Sequence, residues 1–355
     1  MGKINRSTKP IKMWIDGTAF SIPKFETRTA FNRNLPTNSD SVVTDLNLQQ
    51  EHNFILTEMD NRFTTSFCLP PVYYVGLNNF PYLSRRKIEV DTRTVIRTPQ
   101  RDDGSMTISG DCADDVVNAR RTVQSIVAEI RNKQPAAQFI SIPVNSEEVQ
   151  RNFQQFKDAI LSAGPIEGVE DSVFQSPLKL HLTICVFVLL SPSEKEEAVK
   201  ALNDCKTEVL DTFLSSETPL KVHVAGIDCM NDNHSKVNVL YANAKIVQDN
   251  NEEVLQKLAN AISDYFYNRG LLIQYTDNVR LHVTLMNTKY RSKSAQNTPK
   301  RSRWPTKRIP FNATSIIEKY KDFYFGEKVL DSIHLSCMSS KGEDGFYAPL
   351  SVIRF

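Results

Sequence analysis

The 355-residue sequence predicts an α/β (α+β) protein of two folded units behind a polar N-terminal arm. Apolar runs of strand length alternate with stretches of helical period, and Gly, Pro, Asn and Asp clusters separate them. Apolar residues make up 40% of the chain and charged residues 24%, the composition of an ordinary folded protein. Lys and Arg number 43 against 41 Asp and Glu, so overall charge cannot hold nucleic acid and any such binding needs a local patch. Six scattered cysteines without a C-x-x-C pair exclude a disulfide scaffold and the common zinc spacings. The longest apolar run, 184–190, has seven residues, far short of the ~20 of a bilayer span. The first residues lack a signal-peptide core, and Arg6 stands where a myristoylation motif needs Ser or Thr. An unanchored intracellular protein without membrane contact is expected.

Residues 1–62 are rich in Asn, Thr and Ser without a sustained period, and read as an extended arm with one docked turn near Trp14-Ile15-Asp16-Gly17. The first unit, 63–135, has a short basic helix at 84–92 and strands at 95–98 and 105–109. Asp111 is the expected cap of a long helix, on which Val116, Ala119, Val123, Ile126, Val127 and Ile130 recur every three or four residues until Pro135. The second unit, 136–355, has strands expected at 139–144, 179–189, 220–229, 237–246, 279–286, 332–337 and 347–353. Its helices are expected near 146–163, 192–215, 251–269 and 312–321. Ser191, Pro192 and Glu194 form a capping box with a first-turn proline, and Gly270 supplies a left-handed helix end.

Two stretches in that unit repeat each other 101 residues apart: Leu180-His181-Leu182-Thr183-Ile184 and Leu281-His282-Val283-Thr284-Leu285. In a strand, His and Thr two residues apart share a face while the interleaved aliphatics face a core. Were the two strands to meet in one sheet, two imidazoles and two hydroxyls would converge. Such a set suits a phosphodiester. An imidazole of pKa near 6.5 can take a proton from an attacking oxygen or give one to a leaving oxygen. Hydroxyls can donate to the non-bridging oxygens as charge builds there. His181 and His282 are thus the catalytic candidates, Thr183 and Thr284 the phosphate-binding ones. This chemistry requires no metal or other cofactor, and none is expected. His223 lacks a hydroxyl partner and reads as structural; His52 and His234 lie in polar loops. Ile333-His334-Leu335-Ser336 is a third, weaker copy, read as a structural or supporting histidine.

The paired motifs resemble the signature of the two-histidine (2H) phosphoesterase superfamily. Lys179 to Ile184 together with Leu281 to Thr288 resembles the branch that contains the central domain of A-kinase anchor protein 7. That resemblance, over about 136–355, implies two β-rich lobes related by a pseudo-twofold axis around a nucleotide or RNA phosphodiester. It implies metal-independent hydrolysis or formation of cyclic phosphates and of 2′-5′ or 3′-end linkages.

The preceding unit resembles a KH domain, through Arg85-Arg86-Lys87-Ile88-Glu89, 105–110 and the helix after Asp111. A KH module ahead of this phosphoesterase branch resembles a subunit family of a nuclear cointegrator complex. The resemblance implies a large helicase and a ubiquitin-binding subunit as partners, and roles in transcriptional coactivation and alkylation-damage repair. The KH unit is degenerate: its G-x-x-G position falls on Asn79-Phe80-Pro81-Tyr82, without either glycine, and Pro81 lacks an N–H. RNA clamping and a purely scaffolding role both stay open for it.

A basic loop, 289–308, follows the second motif with eight Lys or Arg and no acid. Lys300, Arg301 and Arg303 are candidates to attract a nucleic-acid backbone, with Trp304 to stack on a base. The same run suits nuclear import. An RNA or oligonucleotide phosphodiesterase, an RNA- or nucleotide-binding subunit without turnover, and a scaffold are the three functions these residues allow.

Overall fold

The computed structural model describes residues 9–22, 54–79, 84–99, 104–214, 219–246, 253–272, 274–291 and 308–355. Strands β1 (Ile11–Ile15) and β2 (Thr18–Ile22) pair antiparallel as a hairpin where one docked turn was expected. Its two-residue loop is Asp16-Gly17, both at positive φ (47° and 88°), the conformation that follows the twist of paired strands. Met13, Ile15, Phe20 and Ile22 are buried in the core of the first unit.

That unit runs β3 (Thr57–Met59), β4 (Arg62–Phe67), α1 (Pro71–Asn79), α2 (Arg85–Thr92), β5 (Val95–Arg97), β6 (Met106–Gly110) and α3 (Ala113–Lys133). The four strands form an antiparallel sheet in the order β3-β4-β6-β5. On α3, Val116, Ala119, Val123, Ile126 and Val127 are buried, as their spacing requires, while Ile130 is partly buried. Cys112, not Asp111, occupies its N-cap, without a side-chain capping bond. Most of the 79–82 segment lies outside the described residues.

The second unit begins with β7 (Gln138–Pro143), α4 (Glu147–Ser162), β8 (His181–Phe187) and α5 (Pro192–Glu208). It continues with β9 (Lys221–Cys229), β10 (Val239–Ile246), α6 (Val254–Asn268) and β11 (Val283–Asn287). It closes with α7 (Thr314–Tyr320), β12 (Tyr324–Val329), β13 (Ser332–Cys337) and β14 (Pro349–Arg354). The strands form one antiparallel sheet, β12-β9-β10-β11-β8-β7-β13-β14, two sets of four that meet at β11 and β8. All four helices bury apolar residues in the core on one face of this sheet, among them Phe153, Leu202, Ile262 and Ile316.

Several edges differ from expectation. Helix α5 ends at Glu208 and gives way to a 3₁₀ turn, Leu210–Thr212, rather than running to 215. The strand expected from 279 begins only at Val283, and β12 was not anticipated, because Gly326 (φ 133°) interrupts its alternation with a register shift. The capping box forms: Ser191 accepts from the Glu194 N–H, and the Glu194 carboxylate accepts from the Ser191 N–H.

Among the described residues, the units are joined through α3 and through the hairpin. Buried Arg131 of α3 donates through Nε to the Val188 carbonyl (3.1 Å) and faces the buried Glu194 carboxylate at 3.9 Å. The hairpin is the other link: Trp14 N–H donates to the Gly270 carbonyl (2.9 Å), and the Tyr267 hydroxyl to the Pro10 carbonyl (2.7 Å). Gly270 sits at φ 71°, and a Cβ there would lie 2.5 Å from the Trp14 nitrogen. No helix among the described residues is long and apolar enough to cross a membrane.

Candidate functional site

The centre of the eight-stranded sheet is a single register pair, Leu182 of β8 opposite Val283 of β11. Both are fully buried, and with Leu180, Ile184 and Leu285 they face the helices. Each such aliphatic contributes roughly 1.5–3 kcal/mol by its burial, so the core fixes which face the intervening residues take. In an antiparallel pair, one step either side of Leu182 and Val283 sets Thr183 opposite His282 and His181 opposite Thr284. The four side chains are half-buried on the open face.

Each imidazole is held the same way. His181 Nδ1 lies 2.7 Å from the Lys179 carbonyl, and His282 Nδ1 lies 2.7 Å from the Arg280 carbonyl. A carbonyl only accepts, so both Nδ1 atoms carry hydrogen and both Nε2 atoms keep a lone pair when the rings are neutral. His181 Nε2 lies 3.1 Å from Thr183 Oγ1. Burial pushes the His181 imidazole down to about 4, helped by the nearby His282 and Lys179 against the raising effect of the Lys179 carbonyl. Burial lowers His282 too, with the Arg280 carbonyl opposing and the Arg280 charge adding to it.

An aromatic ring and a cation flank each imidazole. Tyr347 stands edge-on to His181 (5.4 Å between centroids, 79°), with Lys179 Nζ 4.4 Å from the centre of the Tyr347 ring. Tyr241 stands edge-on to His282 (5.6 Å, 71°), with the Arg280 guanidinium 5.5 Å from its ring. Tyr241 is the β10 neighbour of Thr284, donates to Asp228 (3.1 Å) and accepts from Arg280 (3.4 Å). The pseudo-twofold thus extends past the His and Thr residues to a basic residue two places before each His. That repeat was visible in the sequence, whereas Tyr241 and Tyr347 reach the site only through strand neighbours and a turn, which no local pattern announces.

His223 lies against Glu327 at the far side of β9, with Nδ1 3.4 Å from the carboxylate. Lys300, Arg301, Arg303 and Trp304 lie outside the described residues. Among the described residues, no group of three or more His, Cys, Asp or Glu is placed to hold a metal ion.

A curled antiparallel sheet that presents two H-x-T strands side by side defines a two-histidine phosphoesterase-like protein. The family described as "AKAP7 2'5' RNA ligase-like domain" matches residues 137–355. Activating signal cointegrator 1 complex subunit 1 of Mus musculus is 34% identical over 282 residues, 77% of this chain and 78% of that one. The chain belongs to this family and carries its two-histidine phosphoesterase domain. Two solved structures are similar at a distance: Escherichia coli LigT with 3'-AMP (16% identity, TM-score 0.34) and a phosphoesterase (15%, 0.33). Each alignment covers 62% of this chain and 99% of the other.

Proposed function

We propose that the chain is a metal-independent phosphodiesterase acting on RNA or an oligonucleotide, with His181 and His282 as its acid–base pair. The observation that supports this reading is the Leu182–Val283 pair, which brings the two H-x-T segments side by side in one sheet. One neutral imidazole accepts through Nε2 the proton of the attacking oxygen, water or a ribose hydroxyl, as that oxygen bonds to phosphorus. The other, protonated once the diester anion lies beside it, returns a proton to the leaving oxygen as its bond to phosphorus breaks. Thr183 and Thr284 donate to the non-bridging oxygens. The two roles exchange in the reverse direction, and the symmetry of the site suits either polarity.

The β-α-α-β-β-α order of β4 to α3 supports reading the first unit as a KH fold without its glycine loop. Similarity to a cointegrator-complex subunit supports membership of such a complex; a large helicase and a ubiquitin-binding subunit as partners, and a nuclear location, belong to the same proposal. Lys300, Arg301, Arg303 and Trp304 would draw RNA toward the cleft; reversing the three cations to Glu should weaken RNA binding at low salt, and unchanged binding would remove that role.

A second reading, RNA or nucleotide binding without turnover, is favoured by the strong lowering of His181, which leaves little imidazolium at neutral pH in the free protein. A panel of cyclic-phosphate, 2′-5′ and 3′-end RNA substrates, run with EDTA, separates the two. Products with EDTA present support the enzyme; saturable binding without products supports the binder.

A further inference from the structure

The third H-x-S motif, His334-x-Ser336, is not used by the reaction above, yet it lies on the same face of the same sheet. Ser141 of β7 is the register partner of Thr183 on one side and of His334 on the other. His334 is therefore two strand spacings, roughly 10 Å, from Thr183. The Phe346 ring stands between the two sites, perpendicular to both imidazoles, 6.0 Å from His181 and 5.5 Å from His334.

His334 opens into a cavity of about 310 Å³ with Lys328, Asp331, Ser332, Asn145 and Arg354 in its walls, and Pro143, the register partner of His181, in the wall nearest the cleft. Lys328 pairs with Asp331, which also accepts from the Ser332 hydroxyl (2.9 Å). With its hydrogen committed there, Ser332 Oγ can only accept from His334 Nε2, 3.3 Å away. Asp331 is thus engaged from two sides. The exposed Arg354 guanidinium has no ion-pair partner among the described residues, and the buried His334 Nδ1 no hydrogen-bond partner among them.

From this arrangement we infer that the His334 cavity is a second phosphate subsite, which holds the phosphoryl group next along the strand from the linkage in the His181/His282 cleft. Arg354 and Lys328 supply the cations, and His334 forms the wall beside them. The subsite rests on the phosphodiester reading of the cleft and deepens it: the preferred ligand is an oligonucleotide with a phosphate adjoining the scissile linkage, not an isolated cyclic nucleotide. It gives the third motif a task that the two-histidine reaction leaves vacant.

The test compares three probes on the full chain with EDTA present: an unphosphorylated dinucleotide, the same dinucleotide with a 5′-phosphate, and with a 3′-phosphate. A terminal phosphate at one end should tighten binding about tenfold, as expected for a charge-assisted contact. Arg354→Gln, on an exposed side chain, should abolish that gain and leave the unphosphorylated dinucleotide unaffected; His334→Asn should do the same. Loss of the gain in Arg354→Gln suffices if His334→Asn does not fold. If neither phosphate adds affinity, or the gain survives in the variants, the subsite is overturned while the cleft reading stands. If the unphosphorylated dinucleotide neither binds nor reacts, the cleft reading fails and the subsite with it.

Discussion

Leu182 of β8 pairs with Val283 of β11 where the two halves of the sheet join, which brings His181 and Thr183 of one segment beside His282 and Thr284 of the other, and the Thr183 hydroxyl stands 3.1 Å from Nε2 of His181. The pairing thus brings together two imidazoles from segments about a hundred residues apart in the chain. This relationship converts two unremarkable H-x-T stretches into one site.

Removing either imidazole should disable chemistry and spare the fold. His181→Ala and His282→Ala each leave Leu182 and Val283 in the core, so the melting temperature should stay close to wild type. The rate on the responsive diester should fall by about 10²–10⁴-fold. Thr183→Val should cost less, on the order of 10–100-fold, because one of several phosphate donors is lost. Steady-state kinetics beside a thermal melt checks this; full activity in the folded double-histidine variant would refute the acid–base roles.

Stability should depend on pH through His181. Its imidazole falls from about 6.5 unfolded to about 4 folded, so between these values the unfolded chain binds more protons. The neutral ring's contribution is therefore complete above pH 6.5 and lost as pH falls through about 4. Urea midpoints measured from pH 7.5 to 4 should drop more steeply for wild type than for His181→Gln. Parallel profiles would show that burial does not disfavour the charged ring.

The Arg131–Glu194 contact should hold the two units in register. Both side chains are 3% exposed, and Arg131 also donates to the Val188 carbonyl. Arg131→Ala strands a buried carboxylate that also caps α5, which should cost about 3–5 kcal/mol. Denaturant unfolding measures it, and a loss below about 1 kcal/mol would mean that the pair is dispensable.

What could be read from the sequence follows physical range. Helix α3 was legible because Val116 through Val127 repeat with the helical period, and the α5 capping box because all its residues lie within four positions. Features set by distant partners were not. The hairpin Ile11–Ile22 alternates for only five residues a side, and its apolar face is completed by a core built from residues 67–128. Helix α1 carries Val, Tyr and Gly, poor helix formers, and is held by packing: the Cβ missing at Gly76 would lie 2.5 Å from Ile130 of α3. The four motif residues could be proposed from spacing alone. Tyr241, Tyr347 and the His334 cavity depend on which strands are neighbours, and sequence period carries no such information.

If both imidazoles attend one phosphorus atom, nitrogen NMR on the histidine rings should register a single site. A dinucleoside phosphorothioate, which resists turnover, is titrated into protein labelled at histidine nitrogens. The Nε2 signals of His181 and His282 should shift together with one midpoint. Shifts confined to one ring, or two separate midpoints, would contradict it.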